Sequence, residues 1–289
     1  AGLNNTLAMQ SNASWVWPWW VERQTDPASE AFLPTGTNVI QSNLTARNWT
    51  ALGAEGSQRE AMVDPVGMVT LRPYGWSWFP YLRAEGADFF PPRLAGARQE
   101  LRDGFLPVVR THYTARPDLE WESEAMALRA GPGGRAEWLA QLHRLRNRSE
   151  RPLDLVLGIA VRPYNPLMFS PIGSLAFADG AFRVNGKPAL LLCEPPDRVV
   201  IANRRQGDPL LHPEHSLGDA ARDSDSGMLT ATAEYRVRLE PGQARELHVT
   251  GVIARAGGVP GEAVRPPSAA ELRRLRGAEL ERLRDAASH

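Results

Sequence analysis

Alternation of apolar and polar residues dominates the middle and later parts of the chain, and period two is the signature of strands with one face buried. In "LTATAEYRVRLEPG", Leu229, Ala231, Ala233, Tyr235, Val237 and Leu239 alternate with Thr230, Thr232, Glu234, Arg236, Arg238 and Glu240. Pro241-Gly242 predicts a turn into "ARELHVTGVIA", where Leu247, Val249 and Ile253 share a face, so the pair reads as a hairpin. "PLDLVLGIAVRPY" puts Leu153, Leu155, Leu157, Ile159 and Val161 on one side, and "LEWESEAMAL" sets Leu119, Trp121, Ser123, Ala125 and Ala127 against Glu120, Glu122 and Glu124. Asn185-Gly186 in "FRVNGKPALLL" is the strongest short hairpin signal. "AEWLAQLHRLRNRSERP" fits either period, and the turn residues and long strand that follow favour a strand. With "PVVRTHYTA" and "RVVIAN", residues 105 to 255 predict seven or more antiparallel strands, enough for two stacked sheets.

The period changes at the end. Ser268 and Glu271 form a capping box, and Leu272, Leu275, Leu280 and Leu283 fall in one stripe at 100° per residue, which predicts an amphipathic helix ending near Ala286 with Gly277 as its weak point. Its leucines are expected to want a partner. The first 100 residues carry most of the aromatics and little periodicity, and read as short strands joined by Pro/Gly turns.

Composition suits a folded, turn-rich β protein: 289 residues, 43% hydrophobic and 23% charged, with 24 Pro and 25 Gly. Thirty-three basic residues balance 33 acidic ones, so no overall field gathers nucleic acid or an anionic membrane, and neither partner is expected. Lys187 is the only lysine, and Cys193 the only cysteine, which excludes an internal disulfide and a Cys-rich metal site. No apolar segment approaches the ~20 residues that span a bilayer, and a cytoplasmic location is expected. The sequons at Asn4, Asn12, Asn43, Asn48 and Asn147 matter only in a secretory eukaryotic context, which the arginine bias argues against.

Several chemistries fall away. "GPGG" at 131–134 lacks the spacing and the helix of a nucleotide loop, and there is no G-x-S-x-G or H-E-x-x-H. His212, Glu214, His215, Asp219, Asp223 and Asp225 gather in one loop, but Pro213 breaks the H-P-E-H run and no closing Glu completes a calcium loop, so no metal or cofactor is expected. Glu120, Glu122 and Glu124 stand about 7 Å apart along a strand, a spacing that glycosidase carboxylates use, yet nothing nearby separates their acidities, and a charged solvent face is expected. His112, His143 and His248 lie in predicted strands. The aromatics say more: Trp15, Trp17 and Trp19 alternate, and Tyr74, Trp76 and Trp78 repeat the pattern in "YGWSWFPY". Flat rings stack on sugar C–H faces, so these six are candidate carbohydrate-binding residues; the same rings suit a core or a domain interface. Pro18 limits "SWVWPWWVER" to an edge strand or an extended arm.

The stretches "WWVERQTDP", "FLPTG", "NLTARNWTALG", "VDPVGMVTL", "YGWSW", "RLRNRSERPLDLVLGIAVRPYNP" and "YRVRLEPGQ", spread over residues 19 to 242, resemble the N-terminal β-supersandwich of bacterial glycogen-debranching-like and glucoamylase-like glycoside hydrolases. The resemblance implies an all-β, galactose-mutarotase-like two-sheet supersandwich over residues 1–262 and a linker helix over 263–289 leading towards an (α/α)6 catalytic barrel. That barrel has no counterpart here, so no catalytic residue is carried over. The implied partners are an α-glucan or other oligosaccharide and the catalytic domain or a neighbouring subunit. Three readings stay open: a non-catalytic carbohydrate-associated domain, a stand-alone sugar epimerase or hydrolase working through strand histidines and an acid, and a structural interaction module.

Overall fold

The computed structural model describes residues 15–33, 42–44, 49–71, 75–84, 87–91, 97–130, 136–213, 221–255 and 267–288. Two antiparallel sheets stack face to face. The first runs β1 (Thr50–Leu52), β2 (Ala61–Val63), β3 (Val69–Thr70), β4 (Ser77–Ala84), β10 (Leu153–Arg162), β16 (Thr230–Leu239) and β14 (Arg198–Ala202), with β5 (Ala87–Phe89) also paired to β4. The second runs β15 (Ala221–Asp223), β11 (Ser174–Ala178), β12 (Ala181–Val184), β13 (Lys187–Leu192), β17 (Ala244–Arg255), β9 (Ala136–Asn147), β8 (Leu119–Ala130), β7 (Val108–Arg116) and β6 (Arg98–Leu101). The chain is thus all-β with a C-terminal helix, as the alternation predicts.

The predicted faces are the observed ones. Leu155, Leu157, Ile159 and Val161 of β10 and Ala231, Ala233, Tyr235 and Val237 of β16 meet Leu139, Leu145, Leu247 and Val249 of the other sheet in the central core. Burying each such aliphatic side chain is worth about 1.5–3 kcal/mol, and this is what holds the two layers together. The Asn185-Gly186 hairpin forms as read: Val184 pairs with Lys187, and both turn residues take positive φ (49° and 75°), as a tight primed turn requires.

The hairpin expected across Pro241-Gly242 does not form. β16 pairs with β10 and β14, whereas β17 pairs with β9 and β13, so the turn is an arch between sheets. The link from β9 to β10 is a second arch, and the buried Asn147 ties the two: its side-chain amide donates to Leu239 O at 3.0 Å and Arg151 O at 2.7 Å, and its backbone exchanges bonds with Gln243 O and Gly242 N. Alternation marks which face is apolar, and two apolar faces bury more by stacking than by lying side by side.

Both outer faces are partly covered. Val16, Tyr164 and Leu210 pack on Phe79, Tyr81 and Ala160 of the first sheet. The short helix α1 (Trp19–Thr25) continues the N-terminal segment there, so "WVWPWW" becomes an arm and a helical turn rather than an edge strand. On the second sheet lies α2 (Ala269–Ala287), whose Ser268 cap accepts from Glu271 N at 3.1 Å. The leucine stripe has its partner within the chain: Leu272 is buried and Leu275, Leu280 and Leu283 pack with it against Leu106, Val108, Met126, Leu128 and Ala140.

Candidate functional site

The sandwich interior reaches the surface at one end in a cleft of about 960 Å³, the size of an ordinary small-molecule site. Leu71, Val184 and Ala189 belong at once to the central core and to the cleft lining, so its floor is the end of the inter-sheet core. Gln58, Arg59 and Glu60, just before β2 and at the surface, border it from the first sheet; Asn185 and Lys187 border it from the second.

Trp76 lines this cleft. It precedes β4 by one residue and shares the inward face with Trp78, whose ring it meets at 5.7 Å between centroids and 37° between planes. Trp78 is fully buried, and its indole N–H donates to Gln141 Oε1 at 2.7 Å. Trp76 is only half-buried, so part of the ring faces the cleft. Its backbone is held on both sides: Thr70 Oγ1 donates to Trp76 O at 2.9 Å, and Asn165 Nδ2 donates to Gly75 O at 2.5 Å. Asn165 Oδ1 in turn accepts from Leu167 N at 2.7 Å and Met168 N at 3.1 Å, so "RPYNP" is a structural knot beneath the aromatic.

The N-terminal tryptophans support that knot. Trp15, Trp17 and Trp20 are buried together, and Trp17 and Trp20 meet Phe169 edge-on. The Trp20 indole donates to Asn165 O at 3.1 Å, and Tyr164 donates to Val16 O at 3.0 Å. Trp19 is half-buried, with its N–H on Asp64 Oδ2 at 2.9 Å and the Arg23 guanidinium 5.8 Å from its ring centre. Burial raises the Asp64 carboxyl to about 7, against the pull of its bonds from Met68, Trp19, Val66 and Gly67. Of the six candidate sugar-binding residues, then, Trp76 opens on a cleft; Trp15, Trp17 and Trp78 spend their rings on packing; Trp19 braces a buried acid; and Tyr74 lies outside the described residues.

Asn185 is also committed, with Oδ1 accepting from Gly173 N at 2.8 Å and Ser174 N at 3.1 Å. Among the described residues the polar side chains left for a ligand are Gln58, Arg59, Glu60 and Lys187, none of which the sequence reading singled out. Lys187 carried a signal nonetheless, as the one lysine directly after the strongest turn.

The other constellations do not converge. His143 faces the inter-sheet core, whereas His248 lies on the opposite face beneath α2 near Arg276 and Arg273; burial first, then neighbouring positive charge, lowers them to about 3 and about 4. His112 sits at the surface between Glu100 and Glu122. Glu120 and Glu122 pair with Arg148 and Arg144. Glu124, expected on a solvent face, is buried under α2, where Arg102, Arg110 and Arg276 surround it. Among the described residues no group of three or more His, Cys, Asp or Glu is placed to hold a metal; Glu214, His215 and Asp219 lie outside them. No helix among the described residues is long and apolar enough to cross a membrane.

No family model matches the chain, and no curated protein matches it. Among solved structures it is similar to a "Putative kojibiose phosphorylase from human microbiome", with a TM-score of 0.36 and 9% identity over 80% of this chain. The matched part is 26% of that protein, so the chain spans about a quarter of its length.

Proposed function

We propose that this chain is a carbohydrate-binding β-sandwich domain, without catalysis of its own, that takes an oligosaccharide in the Trp76 cleft and works beside a glycoside-hydrolase catalytic domain. The observation that carries it is the half-buried Trp76 ring on a pocket of about 960 Å³ rimmed by uncommitted polar side chains. A ring held rigid from behind offers a flat apolar face at little ordering cost, and the amide, carboxylate and cations around it suit hydroxyl recognition. The resemblance of the sequence to supersandwich domains of such hydrolases supports the same reading.

The second reading, a structural module, draws support from Trp15, Trp17, Trp20 and Trp78, which are all buried within the chain. Calorimetric titration with oligosaccharides separates the two. Saturable binding that Trp76→Ala removes while the melting temperature holds is the expected result. Absence of binding to every glycan tried, with a partner protein captured instead, overturns the carbohydrate reading.

A further inference from the structure

The rim of the Trp76 cleft carries two cations on opposite walls. Arg59 stands between β1 and β2 of the first sheet, and Lys187 opens β13 of the second. Both are exposed, and neither has an ion-pair partner among the described residues. Several other surface arginines are neutralised by neighbours: Arg144 by Glu122 and Glu246, Arg238 by Asp154 and Glu240, Arg282 by Glu55 and Glu279, and Arg284 by Asp103. Glu60 is the single carboxylate lining the cleft among the described residues. With the whole chain at zero formal charge, this local excess has no competing long-range field.

We infer that the glycan taken by this cleft is acidic, with carboxylate-bearing sugar units on either side of the one that lies against Trp76; this rests on the carbohydrate-binding reading above. The ring takes the apolar face of a central sugar, Gln58 and Glu60 take hydroxyls, and Arg59 and Lys187 meet a carboxylate from each wall. Arg59 is able to grip a carboxylate with two parallel N–H donors, whereas Lys187 acts as a point charge. A neutral glucan of the same length leaves both cations with water only.

The test compares hexagalacturonate with maltohexaose on the full chain by titration calorimetry at low and high salt. The expected result is tighter binding of the acidic hexamer by about tenfold, an advantage that shrinks as salt rises. In the Arg59→Gln/Lys187→Gln variant the advantage disappears while residual binding and the melting temperature persist, both side chains being at the surface. Equal or tighter binding of maltohexaose overturns the acidic assignment and leaves the carbohydrate reading standing. Failure of both hexamers to bind, or binding that Trp76→Ala leaves untouched, overturns both.

Discussion

The Tyr81 hydroxyl donates to Glu234 Oε1 at 2.7 Å although a whole strand, β10, lies between their own strands. Gly158 makes this possible. It pairs with Tyr81 on one side and Glu234 on the other, and the phenol ring crosses the space that a Cβ would fill, 2.1 Å from the Tyr81 Cζ. Arg83 completes the group, donating to the same Glu234 oxygen at 2.7 Å and to Leu210 O. One glycine thus lets three neighbouring strands share a buried polar network beneath the N-terminal arm.

Gly158→Ala should therefore destabilise the fold by about 3 kcal/mol or more, the upper end for overpacking, because the intruding methyl meets an aromatic ring that has nowhere to move. Urea denaturation measures it. In a Tyr81→Ala background the same change should cost far less, and the difference is the coupling between the two positions.

His143 and His248 are held at about 3 and about 4, below the ordinary 6.5, so near pH 5 the unfolded chain takes up close to two protons that the folded chain refuses, a number that falls to about one by pH 6.5. Asp64, raised to about 7 from 3.8, works the other way, since the folded chain keeps a proton the unfolded chain has lost. From these three groups the net near pH 5 is about one proton gained on unfolding, so stability should rise with pH by about 1.4 kcal/mol per unit there, the slope shrinking towards zero as pH approaches 6.5. His143→Met should flatten the slope, and adding His248→Met should reverse it.

The tryptophans should separate by role. Trp20→Ala removes a fully buried ring and its bond to Asn165 and should cost about 3–5 kcal/mol. Trp76→Ala should leave the melting temperature within a few degrees yet weaken glycan binding at least about tenfold, the scale of one stacking anchor. Thermal melts and calorimetry on the two variants together decide this.

Asn165→Ala should loosen the Trp76 backbone without touching the cleft. The partly buried Gly75 O, Leu167 N and Met168 N each lose a partner, a cost of about 1–3 kcal/mol. Weakened glycan binding together with greater acrylamide quenching of Trp76, read against the Trp76→Phe control, is the expected signature.

Leu272→Ala should lower stability by about 2–5 kcal/mol and speed exchange of the α2 amides. Glu124→Ala should do likewise by about 3–5 kcal/mol, since it leaves Arg102, Arg110 and the buried Arg276 facing one another.

Local patterns in the sequence were sufficient to identify the long strands between residues 105 and 255, their inward faces, the Asn185-Gly186 turn and the capped C-terminal helix, because pleating, turn chemistry and helical pitch are local properties of the backbone. Which strands are partners was not legible: Leu239 and Leu247 lie close in sequence but in different sheets, since alternation specifies a face and stacking decides its neighbour. Nor did residue type separate Trp76 from Trp15, Trp17 and Trp78, all equally apolar, because exposure depends on what folds over each ring. Lys187 and Arg59 reach one cleft only because two distant turns close the same end of the sandwich, and Glu124 loses its solvent face only because α2 docks on it. These are long-range contacts, and tertiary packing alone decides them.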